Sequence, residues 1–409
     1  MPGGGWPLDE KPILVFWETT KACLLKCKHC RAQAITEPLP GELSTREAMA
    51  LVDQVLEFGR PYPILVLTGG DPLMRGDFWE IVEYASSQGL RVAVAPSVTP
   101  LLTREAVARM ARSGVRAASL SLDSPYPEVH DSIRGVEGTW KRTVEAIRWF
   151  REEGISVQVN TVVMRDTVEG LADMVKLLLD LGVGTWEVFY LVPTGRATMQ
   201  LDLTPQEWED VSHFLYEASK YGLLVRTTEG PMFRRAALVR MALEARGARE
   251  ALERLDSSLG PLYRRLKARL RELLGEPPSS RRPGAHTFAT RDGRGIVFID
   301  YKGNVYPSGF LPVPAGNVRL KSLREIYRES TLFKLLRRGD SLKGRCGRCE
   351  FRWICGGSRA RAYAYHGDPL AEDPACPYEP GSYRGLLEEA GVEDPSLWGL
   401  ARLAGVRIL

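Results

Sequence analysis

Cys23, Cys27 and Cys30 fall within one short stretch, Cys23-Leu24-Leu25-Lys26-Cys27-Lys28-His29-Cys30, just after an apolar run at 13–17. The other four of the seven cysteines lie near the far end, as Cys346-x2-Cys349-x5-Cys355-x20-Cys376. A disulfide framework spreads its pairs through a small secreted chain, whereas two dense groups in a long one read as metal sites. A structural zinc takes four protein ligands, and His29, immediately before Cys30, could hardly reach one ion together with Cys27 and Cys30. Three cysteines instead suit an iron–sulfur cubane with one corner open, its fourth iron free for a small molecule. The second group has four sulfurs, and its spacing suits structural zinc or a fully ligated cluster equally.

Such an open site needs a scaffold, and the sequence supplies one in series. Strands are expected at 13–17, 63–68, 91–95, 116–122, 155–163 and 185–192. Helices are expected near 44–58, 77–88, 103–112, 139–153, 169–181 and 205–220. Ser44-Thr45-Arg46-Glu47 offers a capping box, and Pro205 after Thr204 suits a first helical position. Six β-then-α units imply a parallel sheet with right-handed crossovers, closed or partly closed into a barrel. Ligands in such folds bind at the carboxyl ends of strands, the rim on which the first cysteine group falls.

Several strand ends carry groups that a ligand could use. Gly69 and Gly70 permit close backbone approach, and Asp71 beside them could accept from an ammonium. Alternation puts Ser119, Ser121 and Asp123 on one face, and Gln158 and Asn160 on one face of the next strand. The stretch 234–276 is rich in Ala, Leu, Arg and Glu and reads as a solvated helical hairpin over the barrel. It runs into the linker Pro277-Pro278-Ser279-Ser280-Arg281-Arg282-Pro283. A β-hairpin follows, with Tyr301-Lys302-Gly303 at its turn. One helix is expected at 322–337 before the second cysteine group.

The chain has 409 residues, a net charge of +4 and no apolar run long enough to span a membrane, so nucleic-acid and membrane partners are not expected. The N-terminus lacks the basic and apolar regions of a signal peptide, which gives a cytoplasmic expectation.

The CxxxCxxC after the first strand resembles the signature of the radical S-adenosylmethionine (SAM) superfamily, and the likeness extends over essentially the whole chain. It implies a partial (β/α)6 barrel at 1–230, a basic helical insert and linker at 231–283, a SPASM/twitch-like auxiliary cluster domain at 284–380 and a tail at 381–409. It implies that the open iron is chelated by the amino and carboxylate groups of SAM, whose reductive cleavage gives a 5′-deoxyadenosyl radical. Thr68-Gly69-Gly70-Asp71-Pro72 looks like the family's GGE-type motif, with Asp71 for Glu. Ser97, Ser121, Asp123, Asn160 and Val192 fall where relatives contact SAM, and His130-Asp131-Ser132-Ile133-Arg134-Gly135 resembles the HDxxRG stretch. The cysteine-free segments Asp292-Gly293-Arg294-Gly295 and Val305-Tyr306-Pro307-Ser308-Gly309 depart from full SPASM domains. The expectation is therefore two [4Fe–4S] clusters, one binding SAM and one auxiliary, with ferredoxin or flavodoxin as reductant.

The segments 348–363 and 367–374 are similar to radical SAM enzymes of alternative haem and haem d1 biosynthesis, which modify iron-porphyrin propionates. On that resemblance Arg234, Arg235, Arg359 and Arg361 are candidate propionate partners. Glu229 replaces the Cys of a TCAP-type segment. A peptide-modifying enzyme is the alternative, disfavoured by the short stretch before residue 13, and a non-catalytic electron carrier is a third reading.

Overall fold

Strict alternation along Ser156–Val163 shows how the sheet is built. Val157, Val159, Thr161 and Val163 are buried under helices, while Gln158, Asn160 and Val162 face a partly open interior. A computed structural model describes residues 6–278, 281–285 and 290–406. Ser279 and Ser280 of the expected linker, and the glycine-rich residues 1–5, lie outside the described residues.

The strands are β1 Leu14–Glu18, β2 Ile64–Thr68, β3 Arg91–Val94, β4 Val115–Ser121, β5 Ser156–Val163, β6 Thr185–Tyr190, β7 Leu224–Thr228, β8 Ile296–Ile299, β9 Asn304–Tyr306 and β10 Gly316–Asn317. They form one sheet in the order β10-β9-β8-β1-β2-β3-β4-β5-β6-β7. All neighbours from β8 through β1 to β7 are parallel, and β9 is antiparallel to both of its neighbours, β8 and β10. The six expected strands are present. β7 adds a seventh unit, and β8 pairs with β1, so the hairpin after the linker extends the barrel sheet itself.

The crossovers are α1 Thr45–Leu56, α2 Phe78–Ser87, α3 Arg104–Arg112, α4 Pro127–Arg134, α5 Thr139–Glu152, α6 Leu171–Asp180 and α7 Pro205–Ser219. Both α1 and α7 start with the full capping box, from Ser44 with Glu47 and from Thr204 with Glu207. Their apolar faces and the outward strand residues Val15, Leu65, Val159, Trp186, Val188 and Val225 make one continuous core.

Next come α8 Met232–Ala245, α9 Arg249–Ser258 and α10 Pro261–Leu274. The expectation of a solvated hairpin fails at α8, which is buried on all sides from Met232 to Arg240. Two of its arginines are matched by acids on α7: Arg235 forks onto both Glu209 oxygens at 2.7 and 2.6 Å, and Arg240 meets Glu217 at 3.0 Å. Such pairing offsets the cost of charge on a buried helix.

The expected helix at 322–337 divides into α11 Leu323–Glu329 and α12 Thr331–Arg337, because Ser330 leaves helical geometry at ψ 130°. Then follow α13 Gly344–Arg348, α14 Arg359–His366, α15 Arg384–Glu389 and α16 Leu397–Leu403. The Leu-rich tail packs α16 on α8. No helix among the described residues is long and apolar enough to cross a membrane.

Candidate active site

The cysteine loop after β1 has little regular structure of its own, so its shape comes from neighbours. Gly70 and Asp71 N–H groups donate to Thr20 O (2.8 Å) and Ala22 O (2.7 Å). A Cβ on Gly70 would lie 2.3 Å from Ala22 O, and one on Gly69 would lie 2.5 Å from Thr20 O. The glycines therefore let the end of β2 lie against the loop. From another side, Lys26 and Lys28 N–H donate to the last carbonyls of α4, Arg134 O (3.0 Å) and Ile133 O (2.9 Å). A third clamp was not read from sequence: Arg196, after β6, donates to Cys27 O (2.8 Å) and Ala34 O (3.0 Å). Gly195 beside it has φ +64°, and a Cβ there would sit 2.3 Å from Cys30 O. The signal available was a Gly-Arg pair just past a strand end.

The three thiols are covered but not sealed. Cys23 and Cys27 are buried with Leu25 and Ala34, and Cys30 is half-buried. Leu25 N–H points at Cys23 Sγ and Ala34 N–H at Cys30 Sγ, both at 3.4 Å, while Arg134 Nη1 lies 3.7 Å from Cys27 Sγ. Donors aimed at sulfur suit thiolates that carry a cluster. Burial pushes the Cys23 thiol up to about 11 and raises that of Cys27, against which the Arg134 guanidinium works. Iron ligation would supply the missing drive to deprotonate them.

Asp123 at the end of β4 anchors that guanidinium. Its Oδ2 is 2.7 Å from Arg134 Nη2 and 3.8 Å from His29 Nε2, and its Oδ1 accepts from Val162 N–H at 3.1 Å. Burial is the largest influence and opposes the charge of Asp123, but Arg134, the nearby imidazoles and the Val162 N–H together hold the carboxyl below its usual range. Burial also drives His29 and His130 down to about 4, so both imidazoles are neutral. Asp123, Arg134 and Cys27 thus form one chain from strand end to sulfur.

The other expected contacts divide. Cys23 Sγ donates to Ser97 Oγ at 3.3 Å, and Ser97 donates to Gly70 O at 2.5 Å, so Ser97 joins the loop to β2. Asp71 is fully buried and turned into the scaffold, accepting from Thr99 Oγ1 (2.7 Å) and Leu73 N–H (3.2 Å). Burial raises its carboxyl to about 6. Asn160 accepts from Gln158 Nε2 at 2.8 Å and pairs in register with Ser121. Val192 is buried against Leu311, Leu336 and Ala360, tying the end of β6 to the C-terminal segment.

Cys346, Cys349, Cys355 and Cys376 line one cavity, together with Met232, Arg235 and Tyr378. Asp373 N–H reaches Cys346 Sγ and Phe351 N–H reaches Cys349 Sγ, both at 3.4 Å, and Arg359 Nη2 lies 3.7 Å from Cys346 Sγ. Among the described residues, no three His, Cys, Asp or Glu converge closely enough to grip one ion. Four cysteines around one cavity suit a fully ligated cluster.

None of the four arginines expected to meet propionates is free for that task. Arg234 donates to Ile354 O and Thr290 O, Arg235 holds Glu209, and Arg359 donates to Pro369 O and Ala371 O. Arg361 joins Asp373 at 3.2 Å, Leu191 O at 3.0 Å and Glu229 O at 3.1 Å. Glu229, with φ +56°, is buried at the end of β7 and accepts from Ser308 Oγ (2.9 Å) and Ser358 Oγ (2.5 Å).

A parallel barrel whose first strand delivers three clamped cysteines to a rim of polar strand ends defines a class of cluster-dependent SAM enzymes. Residues 17–178 match the Radical SAM superfamily, and residues 291–350 match SPASM, an iron-sulfur cluster-binding domain. The AdoMet-dependent heme synthase of Nitratidesulfovibrio vulgaris is 38% identical over 90% of this chain and 92% of its own length. That of Methanosarcina barkeri is 36% identical over 91% of this chain and 99% of its own. The solved structure of native anSMEcpe with bound AdoMet shares the fold, with TM-score 0.62 and 18% identity over 96% of this chain and 98% of that one. The chain belongs to the radical SAM superfamily and carries a C-terminal SPASM domain; it is an enzyme that uses SAM and iron–sulfur chemistry.

Proposed function

We propose that this enzyme oxidatively decarboxylates propionate side chains of an iron-porphyrin to vinyl groups. The observation that carries the reading is likeness to the two haem synthases over nine-tenths of the chain. Cys23, Cys27 and Cys30 would hold a [4Fe–4S] cluster open at one iron, and Cys346, Cys349, Cys355 and Cys376 a second cluster ligated throughout. When bound, the first cluster with SAM supplies a hydrogen-abstracting 5′-deoxyadenosyl radical, and the second supplies a one-electron acceptor. Each propionate then loses one β-hydrogen atom, carbon dioxide and one electron, and the remaining electron pair becomes the vinyl double bond.

The residues of the chain do the rest. Arg134, fixed by Asp123, offsets thiolate charge at Cys27. Ser97 links Cys23 to the turn that carries Gly70, the segment proposed to receive the SAM amino group. Ser121 and Asn160, neighbours on β4 and β5, present polar groups for the SAM ribose or carboxylate. Ferredoxin or flavodoxin is the proposed reductant, and the cytoplasm the proposed compartment. The test is anaerobic reconstitution with iron and sulfide analysis, followed by incubation with iron-coproporphyrin III, SAM and a reductant. Successive losses of formic-acid mass with 5′-deoxyadenosine are expected. Deoxyadenosine with unchanged porphyrin, and turnover of a peptide instead, would overturn the reading.

A further inference from the structure

The inward faces of β4 to β7 hold one row of residues at a common level. Ser121 pairs with Asn160, Asn160 with Glu187, and Glu187 with Arg226. Their sequence neighbours Leu120, Val159, Trp186 and Val225 are fully buried beneath the helices, so the row points the other way, into the barrel, where all four are half-buried. Glu187 and Arg226 were absent from the expected site, Arg226 because β7 itself was not expected.

Arg226 stands out within the row. No described residue gives it a hydrogen bond or an ion pair within 4 Å, and its Nε is buried without a partner. Other interior guanidinium groups keep at least one partner even where a nitrogen is left over, as at Arg134 Nε and Arg291 Nε: Arg134 pairs with Asp123, Arg291 donates to Arg337 O, Arg235 holds Glu209, and Arg361 holds Asp373. The cross-strand neighbour of Arg226, Glu187, makes no ion pair with it within 4 Å: that carboxyl accepts from Thr228 Oγ1 at 2.8 Å, and burial raises its pKa against the opposing charges of Arg226 and Arg234. An uncompensated guanidinium in a partly closed interior is costly unless a ligand brings the anion, and its planar fork matches a carboxylate.

We propose that Arg226 binds a ligand carboxylate inside the barrel, and that this carboxylate is a propionate of the substrate, held level with Ser121 and Asn160. The second source of a carboxylate is SAM. Arg226 lies two strands from Asn160, toward the β7 end of the sheet and away from the cysteine loop after β1, which favours a ligand other than SAM. Phe189 on β6 and Phe310, with ring centroids 6.0 Å apart, provide an apolar surface beyond the row. The assignment rests on the porphyrin reading above.

The experiment titrates the reconstituted enzyme with iron-coproporphyrin III and with its tetramethyl ester, following the porphyrin absorbance, and measures SAM affinity in parallel. The expected result for Arg226→Gln is a loss of acid affinity of about 10- to 100-fold, the range for a hydrogen bond to a charged group. SAM affinity should hold, and the preference for acid over ester should disappear. If that variant does not retain iron, Arg226→Lys keeps the charge without the fork and should narrow the same preference. An unchanged acid-to-ester ratio in whichever variant folds overturns the proposal. Loss of SAM affinity with porphyrin affinity intact moves the carboxylate to SAM and overturns the substrate assignment. A wild-type enzyme that cleaves SAM but binds no porphyrin overturns the porphyrin reading instead, and this assignment with it.

Discussion

The two cysteine groups differ in how many sulfurs they offer and in what surrounds them. The first offers three, on a loop that neighbours clamp through its backbone from β2, α4 and the segment after β6. Its charge balance comes from a side-chain chain, Asp123 to Arg134 to Cys27, that ends at a partly open rim. The second offers four sulfurs around a cavity, with Arg235 and Arg359 nearby and backbone N–H groups aimed at two of the thiols. Burial pushes Cys349 and Cys376 up to about 12 and about 11 and raises Cys355 further, so these thiols also need iron to ionise. On the proposed function, the first site, which would admit a ligand, leaves one corner and a polar rim. The second, which would only take and return an electron, closes its ligand set.

Removing one sulfur from each group should separate the two roles most sharply. Cys27→Ala is expected to abolish reductive SAM cleavage and to remove roughly four irons per chain, leaving the C-terminal cluster's absorbance. Cys355→Ala should lose a similar amount of iron yet still form 5′-deoxyadenosine, with vinyl formation lost. Iron analysis and deoxyadenosine assays on both variants check this. SAM cleavage lost equally in both would show that the groups are not independent.

Breaking the charge chain comes next in size. Arg134→Met leaves Asp123 buried without its partner, which should cost about 3–5 kcal/mol of stability. Thermal unfolding of the iron-loaded protein measures it, and a loss below 1 kcal/mol would put the chain's weight elsewhere. Gly195→Ala should cost at least about 1–2 kcal/mol from its left-handed backbone alone. Because the new Cβ would press on Cys30 O, iron should be lost from the first group and kept by the second.

Sequence revealed these features unevenly, for reasons that lie in particular residues. The β-branched runs of β2 and β5, the capping box of α1 and Pro205 at the start of α7 are local signals, and each appears where expected. β7 reads Leu-Val-Arg-Thr-Thr, too short and polar to stand out, and with it went Arg226 and the partner of Glu187. α4 was missed although Pro127 occupies its first turn. The arginines of α8 and α14 looked available because their partners are distant in sequence: Glu209 for Arg235, and Leu191 O for Arg361. Pairing across such separations leaves no local pattern to read.

Glu229 lies where the two regions meet, and its effect is the smallest and most specific to test. Ser358, which donates to its carboxyl, also donates its N–H to Asp373 (2.7 Å), and Asp373 N–H points at Cys346 Sγ. Burial, with the nearby Asp292 charge, raises the Glu229 carboxyl from 4.5 to about 8. Near pH 4.5 and below, folded and unfolded chains both hold this proton. Between there and about pH 8 the unfolded chain releases it while the folded protein keeps it, so stability falls as pH rises, by at most about 1.4 kcal/mol per unit. Above about 8 both are ionised and the contribution levels off. Glu229→Gln has no proton to release, so its stability relative to wild type should rise with pH through that window and then stay flat. Denaturant unfolding at about pH 5, 7 and 9 measures the difference. A difference independent of pH would mean that Glu229 is ionised in the fold and that the junction between the two cysteine regions carries a charge.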